Sequence, residues 1–147
     1  MTDTAPRLRE ATMRDMDIII LLLSSHGLHT EDLSGKASSL FVLESDGAII
    51  GSGGVEVFGN VGLLRSVAVM KSLQGEGFGG LICREIVHRM RTQGLTELYL
   101  LTTTAPGFFE RLGFQRIDRS DAPADIQGTT EFSGLCPTSA VCMRMRL

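Results

Sequence analysis

The sequence predicts an α+β domain, with a run of strands first and a strand–helix–strand passage after it. Three observations carry this. Asp46-Gly47 separates two β-rich runs, and that dipeptide favours the type I′ hairpin turn. Val61 to Met70 is almost wholly apolar, the mark of a strand buried on both faces. A glycine-rich loop then leads into the longest helical pattern, in which Ile82, Ile86 and Met90 recur every four residues.

Taken in order, Arg7 to Ala11 reads as a short strand. Thr12 is placed as an N-cap, with Asp15 and Asp17 near the positive end of a helix running to about Ser24. His26-Gly-Leu-His29 is a loop, and Thr30-Glu-Asp opens a second short helix. Leu40 to Glu44 and Ala48 to Phe58 are the hairpin strands, and Gly59-Asn60 turns the chain into Val61 to Met70. The long helix spans Gly77 to about Gln93, with Gly94 as its stop. Thr96 to Thr103 is a strand, Pro106 to Leu112 a short helix with proline near its first turn, and Phe114 to Arg119 a strand. Asp121 to Leu135 is irregular, with one or two helical turns, and Ala140 to Leu147 alternates as the last strand.

At 147 residues and 43% hydrophobic, the chain is one domain's worth of sequence and needs no disulfide or metal staple. Mean hydropathy of +0.15 sets it apart from disordered chains. Net charge is −3, whereas a protein living on phosphate-backbone contacts carries a basic excess, so nucleic acid is not an expected partner. The longest aliphatic run, Ile18 to Leu23, is far short of the ~20 residues a membrane helix needs. The start has no basic region followed by an apolar one, so no signal peptide is expected and the cytoplasm is the default. Cys83, Cys136 and Cys142 are odd in number and form no C-x-x-C pair, and His26, His29 and His88 lack metal-ligand spacing with them. No metal is expected. The high apolar fraction is compatible with a homodimer.

The chemistry centres on Gln74-Gly75-Glu76-Gly77-Phe78-Gly79-Gly80, between the buried strand and the long helix. Glycines let the backbone approach a ligand, and the first-turn amides of a helix point at it, which suits an anion such as phosphate. The plain alternative is a turn that only joins two elements. A Walker A loop is excluded, since Gly79-Gly80-Leu81 holds no lysine. A dinucleotide fingerprint fits Gly75, Gly77 and Gly80 by spacing, with Glu97 downstream. Glu97 stands near a strand's start, however, and only 67 residues follow Gly80, too few for a doubly wound sheet and a substrate domain.

The third pattern is Q/R-x-x-G-x-G/A, met by Gln74, Gly77 and Gly79. Here the chain resembles the GNAT N-acetyltransferase superfamily, whose acetyl-CoA pyrophosphate loop has that form. Leu64-Arg-Ser-Val-Ala-Val69 is similar to the family's fourth strand, and Phe109-Glu-Arg-Leu-Gly-Phe114 to its late aromatic-x-x-x-G-F segment. The resemblance extends from Leu8 to the last strand. Leu100-Leu-Thr-Thr-Thr104 with Phe108-Phe109 resembles the acetyltransferase domain of N-acetylglutamate synthases. The tail Ala122-Pro, Ile126, Thr130-Glu-Phe and Leu135-Cys-Pro-Thr-Ser-Ala140 resembles arsenic-resistance-linked N-acetyltransferases. The resemblance implies a mixed, mostly antiparallel sheet of about seven strands with helices on both faces. It further implies acetyl-CoA as cosubstrate and a small, glutamate-like amine acceptor, with arsenical analogues in the same class. A protein N-terminus or lysine as acceptor, and a non-catalytic acyl-CoA-binding module, are the alternatives.

By the same resemblance, Gln74 to Gly80 hold the diphosphate, and backbone groups of Val67, Ala68 and Val69 hold pantetheine and the acetyl oxygen. An α-amine with pKa ~7.7–8.0 is roughly a tenth neutral at pH 7, whereas lysine near ~10.4 costs about 4.6 kcal/mol to deprotonate. A base is therefore useful but not obligatory for an α-amine. Glu56, near the end of its strand, is either that base or a solvent-facing carboxylate. Phe109 stands where many relatives carry a tyrosine acid, so either water protonates the thiolate, with Phe109 then packed against pantetheine, or a threonine passes the proton along. Tyr99 sits mid-strand and reads as core. Arg65 amid Leu63, Leu64, Val67 and Val69 needs a partner, either an acceptor carboxylate or a structural acid such as Glu44 or Glu56. Ser66, Thr102 and Thr103 are candidates for the same acceptor pocket, and His26 and His29 for a loop covering it. Cys136 is a candidate contact for an arsenical, or a buried free thiol.

Overall fold

The structure, a computed structural model, describes residues 5–28, 30, 39–135 and 139–147. The expected helix after Thr30, and the candidate contacts His29 and Cys136, lie outside the described residues. The strands are β1 (Arg7–Glu10), β2 (Leu40–Ser45), β3 (Ala48–Phe58), β4 (Val61–Val69), β5 (Glu97–Thr102), β6 (Gln115–Ile117) and β7 (Val141–Arg146). The helices are α1 (Met16–Ser25), α2 (Phe78–Thr92), α3 (Pro106–Arg111) and the single turn α4 (Ala124–Gln127). The seven strands form one sheet in the order β1-β2-β3-β4-β5-β7-β6. Pairs β1–β2, β2–β3, β5–β7 and β6–β7 are antiparallel, while β4 runs parallel to β5 over Val61–Leu63 against Glu97–Tyr99. This is the mostly antiparallel seven-stranded sheet the resemblance implied.

Two compact units share the chain, Met1–Gly54 with Ser66–Ile86, and Val55–Arg65 with Val87–Leu147. In the first, Ile19, Leu22 and Leu23 of α1 form a cluster with Leu40, Val42 and Ala68. On the neighbouring pleats, Gly51 and Gly53 stand opposite Leu43 and Phe41. A Cβ on Gly51 would lie 2.7 Å from Ile82 Cδ1 and 2.9 Å from the Ala68 carbonyl, and one on Gly53 would lie 2.7 Å from Ile86 Cδ1. Alternate residues of a strand face opposite sides, so α1 and α2 cover the two faces of this part of the sheet. The glycines set how closely α2 approaches.

In the second unit, Leu63, Tyr99, Ala122, Ile126, Phe132 and Cys142 form the core cluster. The segment after β6 folds over it as a 3-10 turn at Arg119–Asp121, then α4, then a π-helical turn at Glu131–Leu135. Thr129 starts that last turn. Its hydroxyl donates to the Ile126 carbonyl at 2.7 Å and accepts the Phe132 amide at 3.4 Å.

Two local expectations change. Thr12 does not cap α1 directly, because a 3-10 turn at Met13–Asp15 intervenes and Asp15 is the N-cap. The Asp15 carboxylate reaches back to the Thr12 amide at 2.7 Å and takes both ends of the Arg9 guanidinium at 2.9 and 3.1 Å. Arg9 holds the Asp15 carboxyl down at about 2. The strand expected over Phe114 to Arg119 shortens to β6, since the Phe114 amide returns to the Phe109 carbonyl and Arg119 enters a turn.

Candidate active site

Buried β4 carries an irregularity at its middle. Ser66 has φ of 60°, a left-handed conformation rare for a residue with a Cβ, in the middle of a strand. Its carbonyl accepts the Ser52 hydroxyl at 2.8 Å, and Ser52 is wholly buried. Ser66 is thus a backbone feature of β4, and its almost wholly apolar sequence neighbourhood gave no sign of it. Beyond it come Val67, half-buried, then buried Ala68 and Val69.

After β4 a 3-10 turn at Lys71–Leu73 leads to Gln74, from which the loop runs into α2. Gly75 and Gly77 have φ of 86° and 88°, values that favour glycine, and a Cβ on either would meet nothing within 4 Å. The backbone there is open, and Gln74, Gly75, Glu76 and Gly77 are exposed. The first α-helical bond runs from the Leu81 amide to the Gly77 carbonyl at 3.0 Å, so the amides of Phe78, Gly79 and Gly80 belong to the unsatisfied first turn of a 15-residue helix. These groups fit a diphosphate. Arg84 adds a cation that sequence reading missed, for its guanidinium lies 3.0 Å from where a Gly80 Cβ would stand. The legible signal was its place one helical turn after Gly80.

His26, expected near the acceptor, bonds within its own unit. Its Nδ1 lies 2.9 Å from the Leu22 carbonyl, which only accepts, so Nδ1 carries the proton and Nε2 is bare. The Gln74 side-chain amide donates to that Nε2 at 2.8 Å and reaches the Val69 carbonyl at 3.4 Å. These bonds brace the end of α1 against the head of the glycine loop.

In the second unit, Arg65 is almost completely buried, with its side chain 4% exposed. Its Nη1 donates to Glu56 Oε1 at 2.8 Å, and its Nε lies 3.2 Å from Glu131 Oε2. The expectation that Arg65 clamps an acceptor carboxylate is corrected. Its fork is already taken, because a guanidinium this deep needs fixed anions. Of the two structural acids expected as alternatives, Glu56 is the partner, while Glu44 pairs with Arg9 at 3.3 Å. Glu56 is 13% exposed, so it is not a solvent-facing strand-end carboxylate. Glu131 was quoted in the sequence only as part of Thr130-Glu-Phe, with no role of its own. It lies far along the chain, in a segment without periodicity.

The remaining candidates divide. Thr102 is buried, and its hydroxyl accepts the Ala105 amide at 3.1 Å, which ties down the entry to α3. Thr103 is exposed. Phe109 packs edge-on against Phe108 and Phe114, with ring centroids 5.0 and 5.8 Å away. These contacts hold the Phe109 ring within an aromatic cluster of its own unit. Tyr99 is core as expected, and its hydroxyl donates to Glu97 Oε1 at 2.8 Å. Burial first, and then the Glu97 carboxylate, hold that phenol above its ordinary range, so it is a poor acid. No helix among the described residues is long and apolar enough to cross a membrane.

Comparison with known proteins agrees with the sheet. The model of the acetyltransferase (GNAT) domain matches residues 36–116. An amino-acid acetyltransferase of Ralstonia nicotianae is 30% identical over 127 residues, which is 80% of this chain and 28% of that protein. An uncharacterized N-acetyltransferase of Chlorobaculum tepidum is 26% identical over 65% of this chain and 62% of its own length. The chain therefore spans less than two thirds of these curated relatives. Among solved structures, N-acetylglutamate synthase from Neisseria gonorrhoeae, complexed with coenzyme A and N-acetyl-glutamate, superposes with a TM-score of 0.85 at 24% identity. That match covers 99% of this chain and 36% of that one. A Mycobacterium tuberculosis protein in complex with CoA gives 0.82 at 23% identity, covering 96% and 99%. Matched by the family model over more than half its length, the chain belongs to the acetyltransferase (GNAT) domain family.

Proposed function

We propose that this protein is an acetyl-CoA-dependent N-acetyltransferase that acetylates the α-amine of a small, amino-acid-like acceptor, glutamate or an analogue that includes arsenicals. The observation that carries the reading is the loop at Gln74–Gly80. It combines left-handed, open glycines and the free first turn of α2, reached from a buried strand through one 3-10 turn at Lys71–Leu73. The likeness to amino-acid acetyltransferases supports the acceptor class.

In this reading the diphosphate sits on the amides of residues 78–80, with Arg84 beside them. Backbone groups of Val67, Ala68 and Val69 align the pantetheine, and the Val69 amide faces the oxyanion that forms on the acetyl carbonyl. Glu56 takes one proton from the acceptor ammonium, and the free amine attacks the thioester carbonyl. The C–N bond forms and the C–S bond breaks. The amide nitrogen sheds its second proton, the thiolate takes one from water, and one proton is released overall. Arg65 holds Glu56 rather than the acceptor, Tyr99 is committed to Glu97, and Phe109 has no proton to give.

The test is acetyl-CoA-dependent thiol release against glutamate, its phosphinic and arsenical analogues, other amino acids, a polyamine and a peptide. Turnover confined to glutamate-like acceptors is expected. Turnover of the peptide alone would make the chain a protein acetyltransferase. Tight acetyl-CoA binding without any turnover would make it a binding module, the reading that the hydroxyl-free Phe109 favours. Failure to bind acetyl-CoA would overturn the proposal.

A further inference from the structure

Arg84 lies one helical turn beyond Gly80 on α2 and is exposed. The Cα–Cβ bonds of a helix tilt toward its N-terminus, so a long side chain lies over the position four residues before it. Here it lies close. A Cβ built on Gly80 would have three atoms of Arg84 as its nearest neighbours, Nη1 at 3.0 Å and Cζ and Nη2 at 3.6 Å. Gly80 is not among the glycines of positive φ, so its backbone does not call for glycine. What glycine supplies at this position is room for the guanidinium. The placement is unfavourable by itself, because it brings a cation back to the positive end of α2, where an anion is favoured. No acidic side chain stands in the first turn of α2 to offset it. Among the described residues Arg84 makes no hydrogen bond or ion pair, and the exposed acids Glu76 and Glu85 do not bond to it. Burial dominates the neighbouring Cys83 thiol, and the Arg84 charge pulls it only the other way.

We propose that Arg84 determines specificity for the cosubstrate by gripping a phosphoryl group of acetyl-CoA, and that the bare Gly80 is what lets it reach. The inference rests on the reading of Gln74–Gly80 as the diphosphate loop. A planar guanidinium presents paired N–H donors that match two oxygens of one phosphoryl group. The loop amides supply partial charges, and Arg84 adds a full one over the same turn. Acetyl-CoA offers phosphoryl oxygens from two places, its diphosphate and its ribose 3′-phosphate, and both present the same chemistry to Arg84.

The experiment measures dissociation constants of the full chain by calorimetry, with acetyl-CoA, 3′-dephospho-acetyl-CoA and the phosphate-free S-acetylpantetheine as probes. Arg84→Gln is expected to weaken acetyl-CoA about tenfold while S-acetylpantetheine affinity and the urea midpoint stay where they were. Arg84→Lys, which keeps the charge without the fork, recovers part of the loss. Gly80→Ala is expected to weaken acetyl-CoA about threefold, although alanine is the better helix former and the fold is no less stable. In the Arg84→Gln background the same change costs nothing, because the group it displaces is gone. An equal Arg84→Gln loss with 3′-dephospho-acetyl-CoA assigns the contact to the diphosphate, and a loss confined to acetyl-CoA assigns it to the 3′-phosphate. Unaltered acetyl-CoA affinity in Arg84→Gln would overturn the inference, as would a Gly80→Ala loss that persists without Arg84. Acetyl-CoA bound no tighter than S-acetylpantetheine by the unaltered chain would instead overturn the phosphate reading of the loop, and the inference with it.

Discussion

A buried charge is the most demanding residue in this chain, and Arg65 shows how its environment decides its role. Replacing it with glutamine removes the guanidinium that Glu56 and Glu131 both bind, and breaking a buried pair in this way costs about 3–5 kcal/mol. Glu131→Gln keeps the bond from Arg65 to Glu56 and is expected to cost far less, which urea titration of the two variants will show. His26 makes the complementary case at the surface. Losing its bond from Gln74 removes a contact of about 1 kcal/mol, so His26→Ala should weaken coenzyme A binding about fivefold in calorimetry. His26→Gln, whose carbonyl can accept the same bond, should recover part of it. The sequence showed that Arg65 needed an anion and offered Glu56, nine residues away across a turn. Nothing local pointed to Glu131, because the pair forms only when the irregular C-terminal segment folds back. The same holds for His26, whose partner lies 48 residues on.

Elements whose limits are set by local chemistry were legible almost to the residue. Asp46 and Gly47 both adopt positive φ, 52° and 81°, which is the type I′ requirement read from the dipeptide, and β3 ends where expected. Gly94, with φ of 93°, closes α2 as its stop signal implies. Elements governed by partners were less legible, β6 above all, whose flanks are drawn into a turn on one side and back to α3 on the other. Two predictions belong here. Gly51→Ala should destabilise the fold by about 1–3 kcal/mol, because the new methyl meets the Ala68 carbonyl as well as the Ile82 side chain, and backbone cannot yield as a side chain does. Asp15, held at about 2 against an ordinary 3.8, binds its proton later in the folded chain than in the unfolded one. Its contribution is therefore complete above 3.8 and is lost as pH falls toward 2, so Asp15→Asn should flatten the acid side of the stability curve in that window.

For the molecule as a whole, the family came from three short motifs in the right order, whereas the site's electrostatics came from pairings that only the folded chain defines. The two described cysteines illustrate the general rule that burial silences reactive groups. Burial pushes the Cys83 thiol up to about 12 and the Cys142 thiol to about 11, so Cys83→Ser and Cys142→Ser should leave the fast disulfide-reagent reaction of the folded chain unaltered near neutral pH. The fate of the one tyrosine has a practical corollary. With no tryptophan in the sequence and a single tyrosine, all the protein's intrinsic emission comes from Tyr99, a ring locked in the core with its hydroxyl on a carboxylate. Carboxylate acceptors quench the phenol, so the folded chain should be dim and brighten on unfolding. One ring in the middle of β5 thus makes this protein its own fluorimeter, with a signal that reports the second unit without any label.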